Sequence, residues 1–256
     1  LADLDNRRIL KYADPNPLRG SCVGLYVVGV SLDLRNVRVR SRNVYDYTFH
    51  DAPTDWEPQS GAWEVTSRWS CSPGWSWFGG WSEGLAAIWN KRRFEGDFVL
   101  EYYAAPKMDA VAEAYAQRFR DLNATICADG KRLSSGYSFL IGGWRNKRTA
   151  ILRGDRVVAE TRSYTLPPQK VGHRQWFYVR IEKIGNRISL SVDDKHLLSY
   201  EDPDPLTGDR VALWTQNNGI MLARVLVCYE KEKELPLVTR KPGKPETLAT
   251  RLAAAA

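Results

Sequence analysis

The chain repeats part of itself at one fixed offset. Residues 11–20, KYADPNPLRG, read again at residues 199–208 as SYEDPDPLTG, an offset of 188 positions. Without a gap, residues 1–41 match residues 189–229 at 13 positions, whereas unrelated chains would share only about two or three. A repeat with so large an offset indicates a duplicated domain and not a short solenoid unit.

If the duplicated domain is as long as the offset, the chain consists of three segments. Residues 44–231 form one complete copy, and residues 1–43 are then the last strands of a preceding copy whose beginning the sequence lacks. A piece of that size, made of strand ends, cannot easily bury a core of its own, so we expect it to need a partner. That partner is either the missing upstream copy or a neighbouring protein chain. Residues 232–256 predict a polar tail or linker.

Short alternating segments, separated by Gly, Pro, Asn and Asp turns, fill the complete copy. Residues 176–184 and 187–192 alternate apolar and polar side chains on either side of Gly185-Asn186, and a third segment follows, which predicts an antiparallel meander. Only residues 110–119 have a helix-like composition. Further strands are predicted at residues 85–89, 97–104, 123–128, 136–141, 148–153, 156–161, 210–214 and 220–229. So many strands without a βαβ rhythm predict an all-β, two-sheet sandwich.

Charge and hydropathy exclude some classes of partner. The net charge is +7 and the pI is near 9.2, but the basic residues are scattered among acidic ones and form no block. We therefore predict no nucleic-acid binding, while a sulfated or uronic acid polysaccharide or an acidic protein surface would suit the charge. No apolar run approaches the roughly 20 residues that span a bilayer, so no membrane span is predicted.

The four cysteines do not predict a metal site. Cys22, Cys71, Cys127 and Cys228 have no C-x-x-C spacing, which argues against structural zinc. Cys71 and Cys127 either pair within the domain or remain free thiols.

Motifs at both ends of the complete copy resemble a known family. Residues 56–63 and 90–102, the latter reading NKRRFEGDFVLEY, are similar to the opening of concanavalin A-like domains described as 3-keto-disaccharide hydrolase-like. The closing motifs HRQW at 173–176, GNR at 185–187 and ARV at 223–225 are similar too. The resemblance implies a jelly-roll sandwich related to lectins and glucanases, in a subgroup found in large multidomain bacterial proteins of unknown role. Many matching positions are turn glycines and core apolar residues, so it implies a fold and no catalytic mechanism.

Tryptophans in one Gly-, Ser- and Pro-rich stretch, residues 69–81, are candidates for ligand contact. The chain has ten tryptophans, and those on predicted strands are most simply core residues. Loop tryptophans expose apolar surface unless they cover something or are covered. Because sugar rings stack their C–H faces on flat indoles, the stretch predicts a carbohydrate platform. The alternative is a loop that folds over one end of the sandwich or packs on the preceding copy.

Two further predicted loops join an indole to polar groups. They are residues 142–146, GGWRN, and residues 214–219, WTQNNG. The repeat replaces the QNN of the second loop by Val28-Gly29-Val30, so the polar loop is specific to the complete copy. In sandwiches of the resembled class, ligands lie on the concave sheet or its bordering loops. The predicted ligand-binding residues are Trp75, Trp77, Trp81, Trp144, Arg145, Trp214, Gln216 and Asn217.

The leading hypothesis for function is non-catalytic carbohydrate binding or scaffolding. The domain would belong to a larger, exported bacterial protein, located in the periplasm, at the cell surface or outside the cell. A structural subunit or processed fragment of a large protein assembly is one alternative, in which the tryptophans lie at an interface. No cofactor is predicted. The resemblance allows a structural Ca²⁺ held by loop Asp and Asn oxygens, but Asp121, Asn123 and Asp129 are too scattered to form a calcium motif.

A glycoside-cleaving enzyme of the 3-keto type is the other alternative. It requires a deep polar pocket with a carboxylate or histidine of shifted pKa. Glu101, Asp121 and Asp155 are candidates by residue type alone, and nothing in the sequence establishes their separation. No catalytic residue is therefore assigned, and the balance of the sequence favours a binding domain.

Overall fold

Antiparallel strands make up nearly all of the regular structure, as the alternating sequence predicts. The chain forms two compact units, Leu1–Arg38 and Val39–Ala256. The computed structural model describes residues 2–4, 7–10, 15–16, 43–49, 53–67, 76–106, 120–166 and 176–233.

The first unit contains a hairpin of β1 (Ala2–Leu4) and β2 (Arg7–Leu10). The described strands of the second unit are β3 (Val44–Tyr47), β4 (Trp56–Ser60), β5 (Ala62–Ser67), β6 (Ser76–Asn90), β7 (Phe94–Pro106), β8 (Asn123–Ala128), β9 (Tyr137–Gly142), β10 (Arg148–Arg153), β11 (Arg156–Thr161), β12 (Phe177–Ile184), β13 (Arg187–Val192), β14 (Lys195–Glu201) and β15 (Arg210–Glu232). A 3₁₀ turn, Leu133–Ser135, precedes β9, and the short segment α1 (Gly143–Asn146) follows it.

The long strand β15 lies at the centre of the sheet. Its first half pairs with β6 and β8, and its second half pairs with β7 and β3. From β15 the hydrogen-bonded order runs through β8, β9 and β10 to β11 in one direction, and through β7, β12 and β13 to β14 in the other. Irregularities in register interrupt the pairing of β15 at four places, which bend it as it passes between these partners.

Alternate residues of β15 and its neighbours point to opposite faces of the sheet. Val211 and Leu213 lie in the main core, together with Ile88, Ile126 and Phe139. Residues at the alternate positions form a second apolar cluster on the other face of the sheet. It consists of Ala87, Trp89, Ala128, Ala212 and Trp214, and Leu85, Leu133 and Leu140 pack against it. This sheet is therefore buried on one face by the core and partly covered on the other by indoles.

Most predicted strands are confirmed. The meander is observed as β12, β13 and β14, and the predicted segments 123–128, 148–153 and 156–161 coincide with β8, β10 and β11. The helix-like residues 110–119 lie outside the described residues. These agreements follow from local turn residues and period-two alternation, which need no distant partner to be recognised.

Two predicted loops belong to strands. The predicted segments 210–214 and 220–229 are one strand, and Gln216, Asn217 and Asn218 lie at a bulge in the pairing of β15 with β6, where Asn217 stands opposite two residues of β6. Likewise β6 begins at Ser76, which places Trp77 and Trp81 on a strand, whereas residues 68–75 are outside the described range. The physical reason is that β6 and β15 pair with each other through both segments, which satisfies backbone groups that a loop would expose.

The hairpin of the first unit reproduces the register of β13 and β14. Ala2 pairs with Leu10, Asp3 with Arg8, and Leu4 with Arg7. Adding the offset of 188 to each number gives the observed pairs Leu190 with Leu198, Ser191 with His196, and Val192 with Lys195. The irregularity in register also falls at the equivalent step in both hairpins.

The described cysteines are free thiols. Cys127 is buried and Cys228 is half-buried. The sequence left two states open for Cys127, a disulfide with Cys71 or a free thiol, and the structure has the free thiol.

Within the described residues, no helix has the length and apolar character needed to cross a membrane.

Candidate functional site

A pocket of about 740 Å³ lies on the face of the sheet opposite the main core. Residues from β15, from β9 and from the segments that flank β8 and β9 converge on it. Its lining residues are Arg120, Asp121, Leu140, Trp144, Arg145, Trp214, Gln216 and Asn217. The pocket combines two indoles with guanidinium, amide and carboxyl groups, so it offers both an apolar surface and hydrogen-bonding groups.

A left-handed turn after β9 presents Trp144 and Arg145. Gly142 begins it with a φ of 68°, and a Cβ there would lie 2.8 Å from Leu166 Cδ1, so a side chain at this position would be strained and crowded. Asn146 holds the other end, because its Nδ2 donates to the Leu166 carbonyl at 2.7 Å and its Oδ1 accepts from the Leu166 amide at 2.8 Å. The turn is therefore anchored on both sides of the two exposed side chains.

The bulge between β15 and β6 presents Gln216 and Asn217. Arg120 Nη2 donates to the Asn217 carbonyl at 2.5 Å, and Asn218 Nδ2 donates to the Arg120 carbonyl at 2.6 Å. These hydrogen bonds tie the bulge to the segment before β8. Gln216 and Asn217 are exposed, while Asn218 on the far side of the bulge is buried.

Strained backbone is concentrated at this pocket. Nine non-glycine residues in the described part of the chain have positive φ, and Asp121, Trp144, Arg145 and Asn217 are among the eight lining residues. Each such residue costs about 1–3 kcal/mol and persists only where its surroundings hold it. Because strain of this kind clusters at binding and active sites, the pocket is the best candidate for a functional site among the described residues.

Trp214 forms the rear wall and is only 8% exposed. Its Nε1 donates to Thr125 Oγ1 at 2.9 Å, and Thr125 Oγ1 is itself 2.8 Å from Ser138 Oγ. The indole nitrogen is thus satisfied by a buried hydroxyl pair on β8 and β9, which sets the ring orientation. Trp144, in contrast, is 38% exposed.

Asp121 is a buried carboxyl at the edge of the pocket, 7% exposed. Burial raises its pKa to about 6, and a hydrogen bond from Asn123 and the nearby Arg120 charge offset this only in part. Asn123 Nδ2 lies 3.3 Å from Asp121 Oδ1, and Arg120 Nε lies 3.8 Å from Asp121 Oδ2. Near neutral pH this group can both accept and donate a proton.

The structure brings together five of the eight predicted ligand-binding residues. Trp144, Arg145, Trp214, Gln216 and Asn217 line one pocket although up to 73 positions separate them in sequence. Three lining residues were not among those predicted as ligand-binding: Arg120, Asp121 and Leu140. Nothing in the local sequence marks Arg120 or Leu140, because hydrogen bonds to the distant Asn217 and Asn218 bring Arg120 to the pocket and strand pairing brings Leu140 there.

The other predicted tryptophans lie elsewhere. Trp77 is buried, and packs with Ala105, Met221 and Trp176 of its own chain. Trp81 is 40% exposed on β6 but does not line the pocket, and Trp75 is outside the described residues. Trp77 thus agrees with the alternative of a covered indole, because distant strands of the same chain pack against it, and its contact with a ligand stays a prediction.

Of the three carboxylates considered for catalysis, only Asp121 lines the pocket. Glu101 pairs with Arg180 across β7 and β12, and Asp155 lies in the turn between β10 and β11. Glycoside hydrolysis usually needs two carboxylates that face each other across the substrate, and these three residues do not form such a pair.

The residues considered for calcium do not fit that ion. Asn123 Oδ1 accepts the Ile141 amide at 3.1 Å, and the Asp129 carboxylate accepts the backbone amides of Lys131 and Arg132 at 2.8 Å. These oxygens already accept hydrogen bonds from backbone amides of the protein, and the positive charge of Arg120 beside Asp121 would repel a cation. Among the described residues no group of three or more acidic, histidine or cysteine side chains gathers for a metal.

Solved structures share the concanavalin A-like jelly-roll fold of this chain, as the sequence predicts. A Bacillus subtilis protein of unknown function with a galectin-like fold aligns with a TM-score of 0.52 and 12% identity, over 72% of this chain and 94% of that chain. The exoplasmic/lumenal domain of VIP36, in a Ca²⁺/Man2-bound form, aligns with a TM-score of 0.52 and 9% identity, over 76% and 90%. No protein-family model and no curated protein matches the chain. Identities this low establish the shared fold and nothing further.

The buried carboxyl makes the stability of the fold depend on pH. Because the pKa of Asp121 is higher in the folded chain than its usual value of 3.8, the folded state retains a proton that the unfolded state releases. Stability contributed by this group is therefore lost as pH rises from about 4 to about 6. In Asp121→Asn the titration is removed, and asparagine tolerates the left-handed backbone. The parent loses this stability as pH rises, and the variant does not. The difference in unfolding free energy, variant minus parent, should therefore increase by up to about 3 kcal/mol from pH 4 to pH 7, as measured by urea titration.

Asp194→Asn is the matched control. Asp194 has the same left-handed backbone, with a φ of 60°, but lies in an exposed hairpin turn. The difference in unfolding free energy between Asp194→Asn and the parent should change by less than about 0.5 kcal/mol over the same pH range. A flat difference for Asp121→Asn would contradict the effect of burial described for this carboxyl.

Proposed function

We propose that this chain contains a carbohydrate-binding domain and that the pocket at Trp144 and Trp214 is its sugar site. The observation that carries the proposal is the exposed indole of Trp144, held on an anchored left-handed turn beside hydrogen-bonding groups of Arg145, Gln216 and Asn217. A sugar needs both a flat apolar surface for its C–H face and polar groups for its hydroxyls.

The dimensions of the pocket support a small saccharide as ligand. A volume of about 740 Å³ lies within the range of about 300–1,000 Å³ that is usual for small-molecule sites. The exposed amides of Gln216 and Asn217 each provide donors and an acceptor. The structure of the VIP36 domain in a Ca²⁺/Man2-bound form is consistent with sugar binding on this fold, although the residues of the present chain alone determine its ligand.

Removing the exposed indole should abolish most of the affinity. We expect Trp144→Ala to weaken binding to the glycans retained by the parent protein at least tenfold, since stacking contributes about 0.5–1.5 kcal/mol beyond the buried apolar area and tenfold corresponds to about 1.4 kcal/mol. Ligands would first be found by affinity electrophoresis against a panel of neutral and acidic polysaccharides. Dissociation constants would then be measured by isothermal titration calorimetry.

Trp81→Ala is the control, because its indole is 40% exposed and lies outside the pocket. Both variants should keep the circular dichroism spectrum of the parent, and Trp81→Ala should bind glycans within about twofold of it. Equal losses in the two variants would place the binding surface on β6, and retention of no glycan by the parent would refute the proposed function.

A glycoside-cleaving enzyme of the 3-keto type is the second candidate, and Asp121 is the observation that favours it. This carboxyl lines the pocket and has a pKa raised to about 6 by burial, which suits a general acid or base near neutral pH. Against catalysis, Asp121 is the only carboxylate among the described lining residues, and glycosidases usually act with two.

An activity assay separates the two candidates. The protein would be incubated with each retained glycan and with a 3-keto-disaccharide, and release of reducing sugar would be measured over hours. We expect no release above that of a heat-inactivated sample, because a second catalytic carboxylate is missing from the described pocket. Release that disappears in Asp121→Asn but persists in Asp194→Asn would instead identify an enzyme with Asp121 in a catalytic role.

We further propose that residues 1–43 are the last strands of a preceding homologous domain, in a larger exported polypeptide. The support is the match between the two hairpins, in which three residue pairs and one irregularity in register recur at the sequence offset of 188. Residues 44–231 would be the complete domain, and residues 232–256 a tail or linker. The partner of the first segment would then be the remainder of its own domain or a neighbouring chain.

Peptide mapping of the native protein tests this organisation. Periplasmic and extracellular fractions of the source cells would be mapped by mass spectrometry, with intact masses measured in parallel. We expect about 150 further residues upstream, as a domain length of 188 requires, joined to Leu1 or present as a separate chain. Detection of the protein only in the cytoplasm, or without such residues, would refute this proposal while leaving the sugar site unaffected.

A further inference from the structure

A second pocket of about 480 Å³ lies against the first and is lined by Trp144, Lys147, Arg148 and Arg162. Trp144 also lines the first pocket, so the two share this indole as a wall. The other three lining residues are cationic. Lys147 and Arg148 directly follow the left-handed turn that presents Trp144, and Arg162 directly follows β11, the strand that pairs with β10.

Arg148 links the indole to this basic group. Its guanidinium carbon lies 3.5 Å from the centre of the Trp144 ring, and its Nη1 lies 2.5 Å from Glu160 Oε2. Because Arg148 covers one face of the indole, a sugar ring has the opposite face on which to stack. The cation–π contact also holds Trp144 in place, which lowers the entropy lost when a ligand binds.

Positive charge exceeds negative charge around the shared indole. Glu160 pairs with Arg148 and lies 4.0 Å from Arg162 Nη2, so one carboxylate serves two guanidinium groups. Arg120 and Arg145 line the first pocket, whose one lining carboxyl, Asp121, lies 3.8 Å from Arg120. Among the described residues, five cationic side chains and one carboxyl, Asp121, thus line the two pockets, and Glu160 pairs with Arg148 beside them.

From this arrangement we infer that the ligand is an acidic glycan, with a sugar ring held between Trp144 and Trp214 and an anionic substituent in the pocket of Lys147, Arg148 and Arg162. The inference rests on the proposed sugar site and specifies its class of ligand. Guanidinium groups bind carboxylates and sulfates through paired hydrogen bonds. A uronate and a sulfated sugar share this chemistry.

Paired polysaccharides that differ only in charge test the inference. The first pair is polygalacturonate and its fully methyl-esterified form, and the second is a sulfated galactan and its desulfated form. We expect the parent protein to bind the acidic member of at least one pair tenfold or more tightly than its neutral counterpart. The pair that shows the difference identifies carboxylate or sulfate as the recognised group, and the difference should shrink as NaCl is raised.

The double variant Lys147→Gln/Arg162→Gln removes two cations of the basic pocket but keeps the Arg148 contact with Trp144. We expect it to lose at least tenfold in affinity for the acidic member and to bind the neutral member as the parent does. Arg187→Gln/Lys195→Gln is the matched control, since it removes the same net charge from exposed positions on β13 and β14. It should change the affinity for the acidic member by less than threefold.

The possible outcomes separate this inference from the proposed function. Equal affinity for acidic and neutral members, with binding still lost in Trp144→Ala, overturns the acidic-glycan inference and leaves a neutral sugar site. Equal losses in the two double variants also overturn it, because net charge and not the pocket would then be responsible. Tighter binding of a single-stranded oligothymidylate than of any glycan overturns it in favour of a nucleic acid. A protein that binds no glycan at all refutes the proposed function itself.

Discussion

Pairing of one strand with four others is the constraint on which this structure depends. β15, the strand Arg210–Glu232, must satisfy hydrogen bonds with β6 and β8 in its first half and with β7 and β3 in its second. A strand of 23 residues cannot stay straight while it serves partners in different directions, because sheets twist. The register irregularities along β15 supply the bends. The two apolar clusters, one on each face, follow from the alternation along this strand and its neighbours.

The candidate site is a local consequence of that bending. At the bulge between β15 and β6, Asn217 stands opposite two residues of β6, and the side chains of Gln216 and Asn217 are exposed. Hydrogen bonds from Arg120 and Asn218 then join the bulge to the segment before β8, while the anchored turn after β9 adds Trp144 from the other side. The free energy that holds these strained residues comes from the well-packed strands beneath them, which is why a few positions of positive φ are tolerated together.

The character of the pocket is set by how its charges are paired. Trp144 has an exposed ring, a guanidinium stacked on one side and an aromatic wall nearby in Trp214. Its surroundings hold more cations than carboxylates, and burial favours the neutral form of Asp121 near and below pH 6. Such a surface combines stacking with long-range attraction of anions, and the second of these weakens as salt is added. Affinity would thus depend on the exposed indole, and selectivity on the cations around it.

Sequence alone determined the parts of this protein that depend on neighbouring residues. Period-two alternation and turn residues placed β8, β10, β11 and the β12–β14 meander, and the joining of an indole to polar residues pointed to five of the residues that meet in the pocket. Tertiary structure decided what depends on distant partners. It buried Trp77 beneath Trp176 and Met221, made one strand of two predicted ones, and brought Arg120 and Leu140 to the site. The physical reason is that burial and strand pairing are settled between residues far apart in sequence, and no local pattern records them.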